Sequence, residues 1–117
     1  MPSYIKLDAA TIEPRPGPHP AASAYDKDIG RALGVTAFGL YQVELPPGGE
    51  TVAHDHATDG AEDVYAVIRG TGTAVVDGEE VPLVPGEFIA VRPASVRHVR
   101  AGSGGLVFIA VCASTRV

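Results

Sequence analysis

Two histidines that lie two positions apart are the residues of this chain best suited to chemistry. His54 and His56 follow the turn-forming segment 46–49. On a β-strand, residues i and i+2 point to one face, with Cα atoms about 6.6 Å apart. An acidic pair, Glu62-Asp63, and a third histidine, His98, accompany the next strand-like segments. Imidazole and carboxylate groups are common ligands of divalent transition metals, so this set predicts a metal site.

The composition favours a single all-β domain over residues 1–117. The chain has 117 residues, with 14 Gly, 10 Pro and no Trp, and its hydrophobic fraction is 45%. A chain of this length can bury one modest core. Frequent Gly and Pro without helical periodicity indicate many short strands and tight turns.

Charge and cysteine content exclude some classes of function. The net charge is −5 and no basic patch is visible, so nucleic-acid binding has no electrostatic support. No apolar segment is long enough to span a membrane, and the N-terminus lacks the apolar core of a signal peptide. The lone cysteine, Cys112, cannot form an internal disulfide, and we expect a buried, inert thiol. These features predict a cytoplasmic protein.

The chain divides into an N-terminal segment and a β region. Residues 1–34 contain a possible first strand at 4–7, a Pro-rich arm at 14–20 and a weak helical pattern at 28–33. Residues 35–113 read as short strands separated by Gly and Pro, which is typical of a sandwich or small barrel. The predicted strands are 35–45, 51–56, 63–68, 73–76, 80–83, 88–91, 96–100 and 106–112.

Residues 48–70 resemble the first motif of the cupin superfamily, G-x5-H-x-H-x3-4-E-x6-G. Gly48, His54 and His56 match at the motif spacing. Asp63 and Gly70 match the end of the motif, with Asp in place of Glu. Two or three extra residues separate His56 from Asp63, and this extra length falls in the polar segment 57–60.

The second motif, G-x5-P-x-G-x2-H-x3-N, is matched by Gly86, Pro93 and His98. One extra residue precedes Pro93, Ser95 replaces the glycine, and Gly102 replaces the asparagine. Together the two motifs imply a small single-domain cupin, which is a jelly-roll β-barrel of two packed antiparallel sheets, here with an N-terminal Pro-rich arm.

The resemblance also implies the ligands of one divalent metal ion inside the barrel. They would be His54, His56, Asp63 and His98, holding Fe, Mn, Ni, Cu or Zn. For the acid, Glu62 is the usual chemical type in the family. Counting back from Gly70 places Asp63 on the pocket side with Tyr65, which favours Asp63 as the ligand.

Two further residues are candidates for substrate binding. Arg100 follows His98 by two positions, so we expect it to face the same interior. It would bind a substrate carboxylate or phosphate, or form a salt bridge with Glu62 or another internal acid. Tyr65 is expected in the pocket wall. The full expected inward set is Tyr41, Val43, Tyr65, Val67, Phe88 and Arg100.

Two functions remain open from the sequence. The first is a metal-dependent oxygenase or isomerase acting on a small anionic or sugar-like substrate. The second is a non-catalytic cupin that binds a small ligand. In either case we expect a homodimer, because small cupins usually pair and the 4–7 segment could add to a sheet edge of a second copy.

Overall fold

The computed structural model describes residues 3–16 and 22–114, and nearly all of its regular structure is β. One short helix, α1, spans Ile29–Leu33, and a 3₁₀ turn spans Ala9–Thr11. The described residues form six strands: β1 Asp26–Asp28, β2 Gly39–Leu45, β3 Ala61–Val76, β4 Glu79–Leu83, β5 Phe88–Val91 and β6 Arg97–Ser114. In the described part of the chain, no helix is long and apolar enough to cross a membrane.

Two long strands, β3 and β6, organise the antiparallel sheet. The strand order is β1-β2-β6-β3-β4, and β5 pairs with the other edge of the first half of β3. The pairing of β3 with β6 shifts register between Val67 and Arg69 and again between Gly70 and Gly72. Such irregularities bend strands. Each long strand therefore contributes one half to a layer with β1, β2 and β5, and the other half to a layer with β4.

The core lies between these two layers. Tyr65, Val67 and Phe108 come from the layer that contains β1, β2 and β5, and Ala74 and Val99 come from the layer that contains β4. All five are buried and belong to one cluster. The alternation of apolar and polar residues along each strand directs the apolar residues into this cluster. The jelly-roll barrel predicted from the sequence is confirmed.

The segment before the barrel contains a short capped helix and a buried lysine that contacts the barrel. The Asp28 carboxylate accepts a hydrogen bond from the Arg31 amide at 3.0 Å, and Gly34 ends α1 with φ 74°. The predicted helical pattern at 28–33 is therefore confirmed. Lys27 pairs with Glu44 at 3.0 Å and donates to the Ala9 carbonyl at 3.0 Å.

Several predicted strand boundaries are wrong. Residues 4–7 form no strand. Residues 51–56 form no regular strand either. In this part of the chain, Glu50 and His54 each pair with β6 through an isolated bridge. Segments 63–68 and 73–76 belong to one strand, β3, which bends near Gly70 and does not end there. Segments 96–100 and 106–112 are likewise joined in β6. Part of the Pro-rich arm, with His19, lies outside the described residues.

Candidate metal centre

Three side chains converge at one end of the core. Ligand atoms of His54, His56 and Asp63 all lie within 4.8 Å of one another. Asp63 points inward from β3, where Cys112 of β6 and Val91 of β5 are its cross-strand partners. The two histidines come from the loop before β3. Although that loop is not a strand, the predicted convergence of the two imidazoles is present, with ring centroids 4.9 Å apart.

Backbone hydrogen bonds hold the loop that carries the histidines. The amide of His54 donates to the Arg97 carbonyl at 3.0 Å, and the Arg97 amide donates to the His54 carbonyl at 2.8 Å. The His56 amide donates to the Pro93 carbonyl at 2.7 Å. The loop is thus fixed on both sides of Asp55, at His54 against the start of β6 and at His56 against the turn between β5 and β6.

A hydrogen bond at the Nδ1 atom fixes the orientation of each imidazole ring. His54 Nδ1 lies 2.8 Å from the Val52 carbonyl oxygen, and His56 Nδ1 lies 3.1 Å from Asp59 Oδ1. Because these oxygens can only accept, both Nδ1 atoms carry the proton. In the neutral ring the Nε2 atom is then an acceptor. The two Nε2 atoms lie 3.9 Å and 3.5 Å from Asp63 Oδ2.

Burial keeps His54 in the form that can bind a metal. It lowers the pKa of His54 from its usual value, and the nearby His56 and Arg97 act in the same direction against the hydrogen bond to Val52 and the charge of Asp63. The imidazole is therefore neutral at neutral pH, as a metal ligand must be.

The Asp63 oxygen that faces the two histidines, Oδ2, also accepts hydrogen bonds from two other side chains. The Arg97 guanidinium donates from Nη1 to Asp63 Oδ2, and the Tyr65 hydroxyl donates to the same oxygen at 3.2 Å. Arg97 is fully buried. Its remaining contacts run to backbone carbonyls, from Nε to Ser95 at 3.1 Å and from Nη2 to Arg92 at 2.7 Å. Arg97 therefore fixes the carboxylate and balances its charge.

The donor set fits a divalent transition metal. Two imidazole nitrogens and one carboxylate oxygen are suitable donors, and the atoms bound to one such ion lie about 3–3.5 Å apart. Two acceptor nitrogens facing an acceptor oxygen at 3.5 Å and 3.9 Å are an arrangement that a cation stabilises. Hydrogen bonds from Nδ1 to a carbonyl and to a carboxylate are the usual supports of metal-binding histidines.

The three residues border a small cavity of about 180 Å³. Its wall is mostly apolar, with Tyr41 and Val43 from β2, Tyr65 from β3, and Phe108 from β6. The predicted pocket positions of Tyr41, Val43 and Tyr65 are confirmed. Phe88 is 75% exposed on the outer face of β5, so its predicted inward position is wrong.

Two further titratable residues border the same cavity. Burial, followed by the hydrogen bond to Asp63, raises the pKa of the Cys112 thiol to about 12. Asp26 lies on β1, where it accepts a 2.5 Å hydrogen bond from the Ser23 hydroxyl, and burial raises its pKa. Nothing in the sequence marked Asp26 as a cavity residue, because β1 is too short to show a strand pattern.

The structure does not bring His98 and Arg100 to the site. The Arg100 side chain is 41% exposed and its guanidinium binds Glu80 at 2.6 Å on the outer face, so its predicted inward orientation is wrong. His98 Nε2 lies 3.5 Å from Glu50 Oε1, outside the group of three. In the first half of β6 the inward positions are instead Arg97, Val99 and Ala101. Alternate residues of a strand face opposite sides, so His98 and Arg100 face outward when Arg97, Val99 and Ala101 face inward. The apolar residues Val99 and Ala101 indicated this orientation in the sequence.

The structure agrees with the prediction that Asp63, and not Glu62, lies on the pocket side of its strand. Asp63 is buried beside the histidines, whereas Glu62 is exposed on the opposite face of β3. The phase counted from Gly70 is therefore correct.

Comparisons with known proteins agree with this architecture. The model of the cupin domain family matches residues 41–112. A cupin protein from Bacteroides fragilis is 21% identical, with a TM-score of 0.77 over 98% of this chain and 87% of that one. A sugar phosphate isomerase from a cupin superfamily, from Silicibacter pomeroyi, is 24% identical, with a TM-score of 0.75 over 95% of this chain and 76% of that one. A predicted oxalate decarboxylase from Thermotoga maritima is 19% identical, with a TM-score of 0.73 over 94% and 99%. No curated protein matched the sequence.

The fold and the inward-facing histidines define a small jelly-roll barrel with one candidate metal centre. With a family match over residues 41–112, the chain belongs to the cupin domain family. Asp26, which lies before the matched range, is contributed by the N-terminal segment.

Proposed function

We propose that this protein is a metal-binding cupin in which His54, His56 and Asp63 hold one divalent transition metal, either Fe, Mn, Ni, Cu or Zn. The observation that carries the proposal is the orientation of the two imidazoles. Each donates from Nδ1 to a fixed oxygen and turns Nε2 toward Asp63 Oδ2. This replaces the four-ligand set expected from the sequence, because His98 lies elsewhere.

A site with two histidines and one carboxylate would leave several metal positions open to a ligand and to O₂ or water. Bound there, the metal would supply Lewis-acid chemistry or, in the case of Fe, oxygen chemistry. The chain's own residues have three tasks. Arg97 and Tyr65 hold the Asp63 carboxylate, the apolar wall excludes water, and the cavity limits the ligand to a small molecule.

The ligand class follows from the charges around the site. Arg97 already balances Asp63, so the charge of a bound divalent ion would be opposed by Asp26 in the cavity wall, whose pKa is raised by burial, and by the half-exposed Asp59 beside His56. A small molecule with an anionic or hydroxyl-rich end complements that charge. Arg100 is turned outward and gives no support to this preference, which depends on the metal and on contact with Tyr65. The function proposed is thus an oxygenase or isomerase of a small anionic or sugar-like substrate.

A non-catalytic binding protein is the second candidate function. It is favoured by the hydrogen bonds that occupy the Asp63, Arg97 and Tyr65 side chains, since groups held in this way are less ready to exchange protons with a substrate. Asp26 is the residue that argues for turnover, because it is a carboxyl group in the cavity with a raised pKa.

Metal analysis followed by an activity screen separates the two functions. Protein prepared without chelator is reconstituted with each of the five metals, and bound metal is measured. The Fe form is then tested for oxygen uptake, and all metal forms for isomerisation, with small hydroxy acids and sugar phosphates. Turnover that is lost in Asp63→Ala supports an enzyme. Tight binding of such molecules without turnover supports the binding protein. If none of the five metals binds, the proposed function is wrong.

A further inference from the structure

We propose that Asp59 is the positioning residue for His56, and that the extra residues between His56 and Asp63 exist to supply it. This inference rests on the proposed metal site, which it deepens by naming what orients one ligand. The sequence showed segment 57–60 as added length relative to the cupin motif, with no task assigned to it. The structure places the carboxylate of this segment against a ligand ring.

Both oxygens of Asp59 lie beside the same ring nitrogen. His56 Nδ1 is 3.1 Å from Asp59 Oδ1 and 3.2 Å from Oδ2. The ring itself is buried, whereas the carboxylate is half exposed. A carboxylate accepting from Nδ1–H fixes the tautomer that leaves Nε2 as the metal-binding atom, and it increases the basicity of that atom.

Asp59 is itself held in place at several points. The Ala61 amide donates to Asp59 Oδ1 at 3.0 Å, and the Ser114 hydroxyl at the end of β6 donates to the Asp59 carbonyl at 2.8 Å. The Gly60 amide closes the loop onto the His56 carbonyl at 2.8 Å. The loop therefore sets the carboxylate relative to His56, to the start of β3 and to the end of β6.

The competing explanation is that Asp59 merely closes a turn. Asp55 provides a matched comparison in the same loop, because its Oδ1 accepts from the Ala57 amide at 3.0 Å in the same i to i+2 pattern. Asp55 and Asp59 thus share charge, residue type and turn contact. Asp59 has in addition the hydrogen bond with His56 Nδ1.

The test compares Asp59→Ala with Asp55→Ala in the full chain, using Zn²⁺ as the probe in competition with a chelator. We expect Asp59→Ala to weaken Zn²⁺ binding roughly 10- to 100-fold. Asp59→Asn should be intermediate, since it keeps an acceptor and loses the charge. Asp55→Ala should stay within about twofold of the wild type. Equal weakening by Asp55→Ala and Asp59→Ala, or no weakening by Asp59→Ala, would overturn the proposal.

A second measurement determines the tautomer of the His56 imidazole and does not need metal. Nitrogen-15 NMR of the histidine rings in the metal-free protein reports which nitrogen carries the proton. The wild-type His56 should be protonated at Nδ1, and Asp59→Ala should show a mixture of tautomers while Asp55→Ala does not. If wild-type protein binds neither Zn²⁺ nor any of the other four metals, the proposed metal function fails, but this spectrum still decides the role of Asp59. A wild-type ring protonated at Nε2 would contradict it.

Discussion

Asp63 is the residue on which the chemistry of the site depends. It is a buried carboxylate whose Oδ2 atom lies near two imidazoles and a buried guanidinium. An isolated buried charge is costly, so the carboxylate requires at least one of these partners. Arg97 fills that requirement in the absence of metal, which makes the Asp63–Arg97 pair a structural feature as well as part of the site.

Removing Arg97 should destabilise the fold strongly. Arg97→Met leaves the Asp63 carboxylate without its buried cation, and we expect the free energy of unfolding to fall by about 3–5 kcal/mol. Chemical denaturation of the metal-free protein measures this change. Arg100→Met is the matched control, because Arg100 pairs with Glu80 on the surface and its loss should barely move the denaturation midpoint. Equal stability of Arg97→Met and wild type would show that the buried pair is not needed.

Cys112 should react slowly with alkylating reagents. Burial and the neighbouring Asp63 raise the pKa of its thiol to about 12, so the thiolate is scarce at neutral pH. The rate of alkylation by iodoacetamide should be low at neutral pH and should increase with each rise in pH toward 12. The unfolded chain in denaturant, with an ordinary thiol pKa, is the control and should react much faster. A folded protein that reacts as fast as the unfolded one at neutral pH would refute this expectation.

At the scale of elements, the bends in β3 and β6 decide which residues reach the site. After its bends, β6 presents Phe108 and Cys112 to the cavity, and before them it presents Arg97 and Val99 to the interior. Gly70 makes one of these bends, with φ 78° and no room for a Cβ atom against the carbonyl of Gly105. A side chain at this position is strained for both reasons.

Gly70→Ala should therefore destabilise the barrel. The substitution imposes an unfavourable φ and a clash with backbone, and we expect it to lower the free energy of unfolding by more than about 1 kcal/mol. Gly104→Ala is the control, since it lies in β6 near the same bend, has no positive φ and has open space around its Cβ position. Denaturation midpoints compare the two. A Gly70→Ala protein as stable as Gly104→Ala would mean that the bend tolerates a side chain.

These elements also show what the sequence could predict. Apolar alternation located most strands, and it placed Asp63 and Tyr65 inward correctly, because each strand has a regular period of two. The family motif failed at His98 because matching single residues does not determine on which face of β6 they lie. Arg97 was missed as a partner of the site, since a hydrogen bond between distant segments leaves no local pattern. Asp59 was missed although it is close to His56 in sequence, because it lies in a loop that has no periodic pattern.

At the scale of the whole molecule, a homodimer stays a prediction. Large apolar side chains are exposed on the N-terminal segment, at Tyr4 and Ile5, and on the outer face of β5, at Phe88. Exposed apolar groups of this size favour association. Sedimentation at micromolar concentration should give twice the chain mass of 12.0 kDa. The double substitution Tyr4→Ser with Ile5→Ser should weaken association if the N-terminal segment contributes, and a wild-type particle of 12.0 kDa would exclude the dimer.

The most direct measurement of the central claim is a Zn²⁺ titration of four proteins in parallel. They are the wild type and the single substitutions His54→Ala, His56→Ala and His98→Ala. We expect one site in the wild type, its loss or severe weakening in His54→Ala and His56→Ala, and unchanged affinity in His98→Ala. A His98→Ala protein that loses the metal as completely as His56→Ala would contradict the proposed set of three ligands.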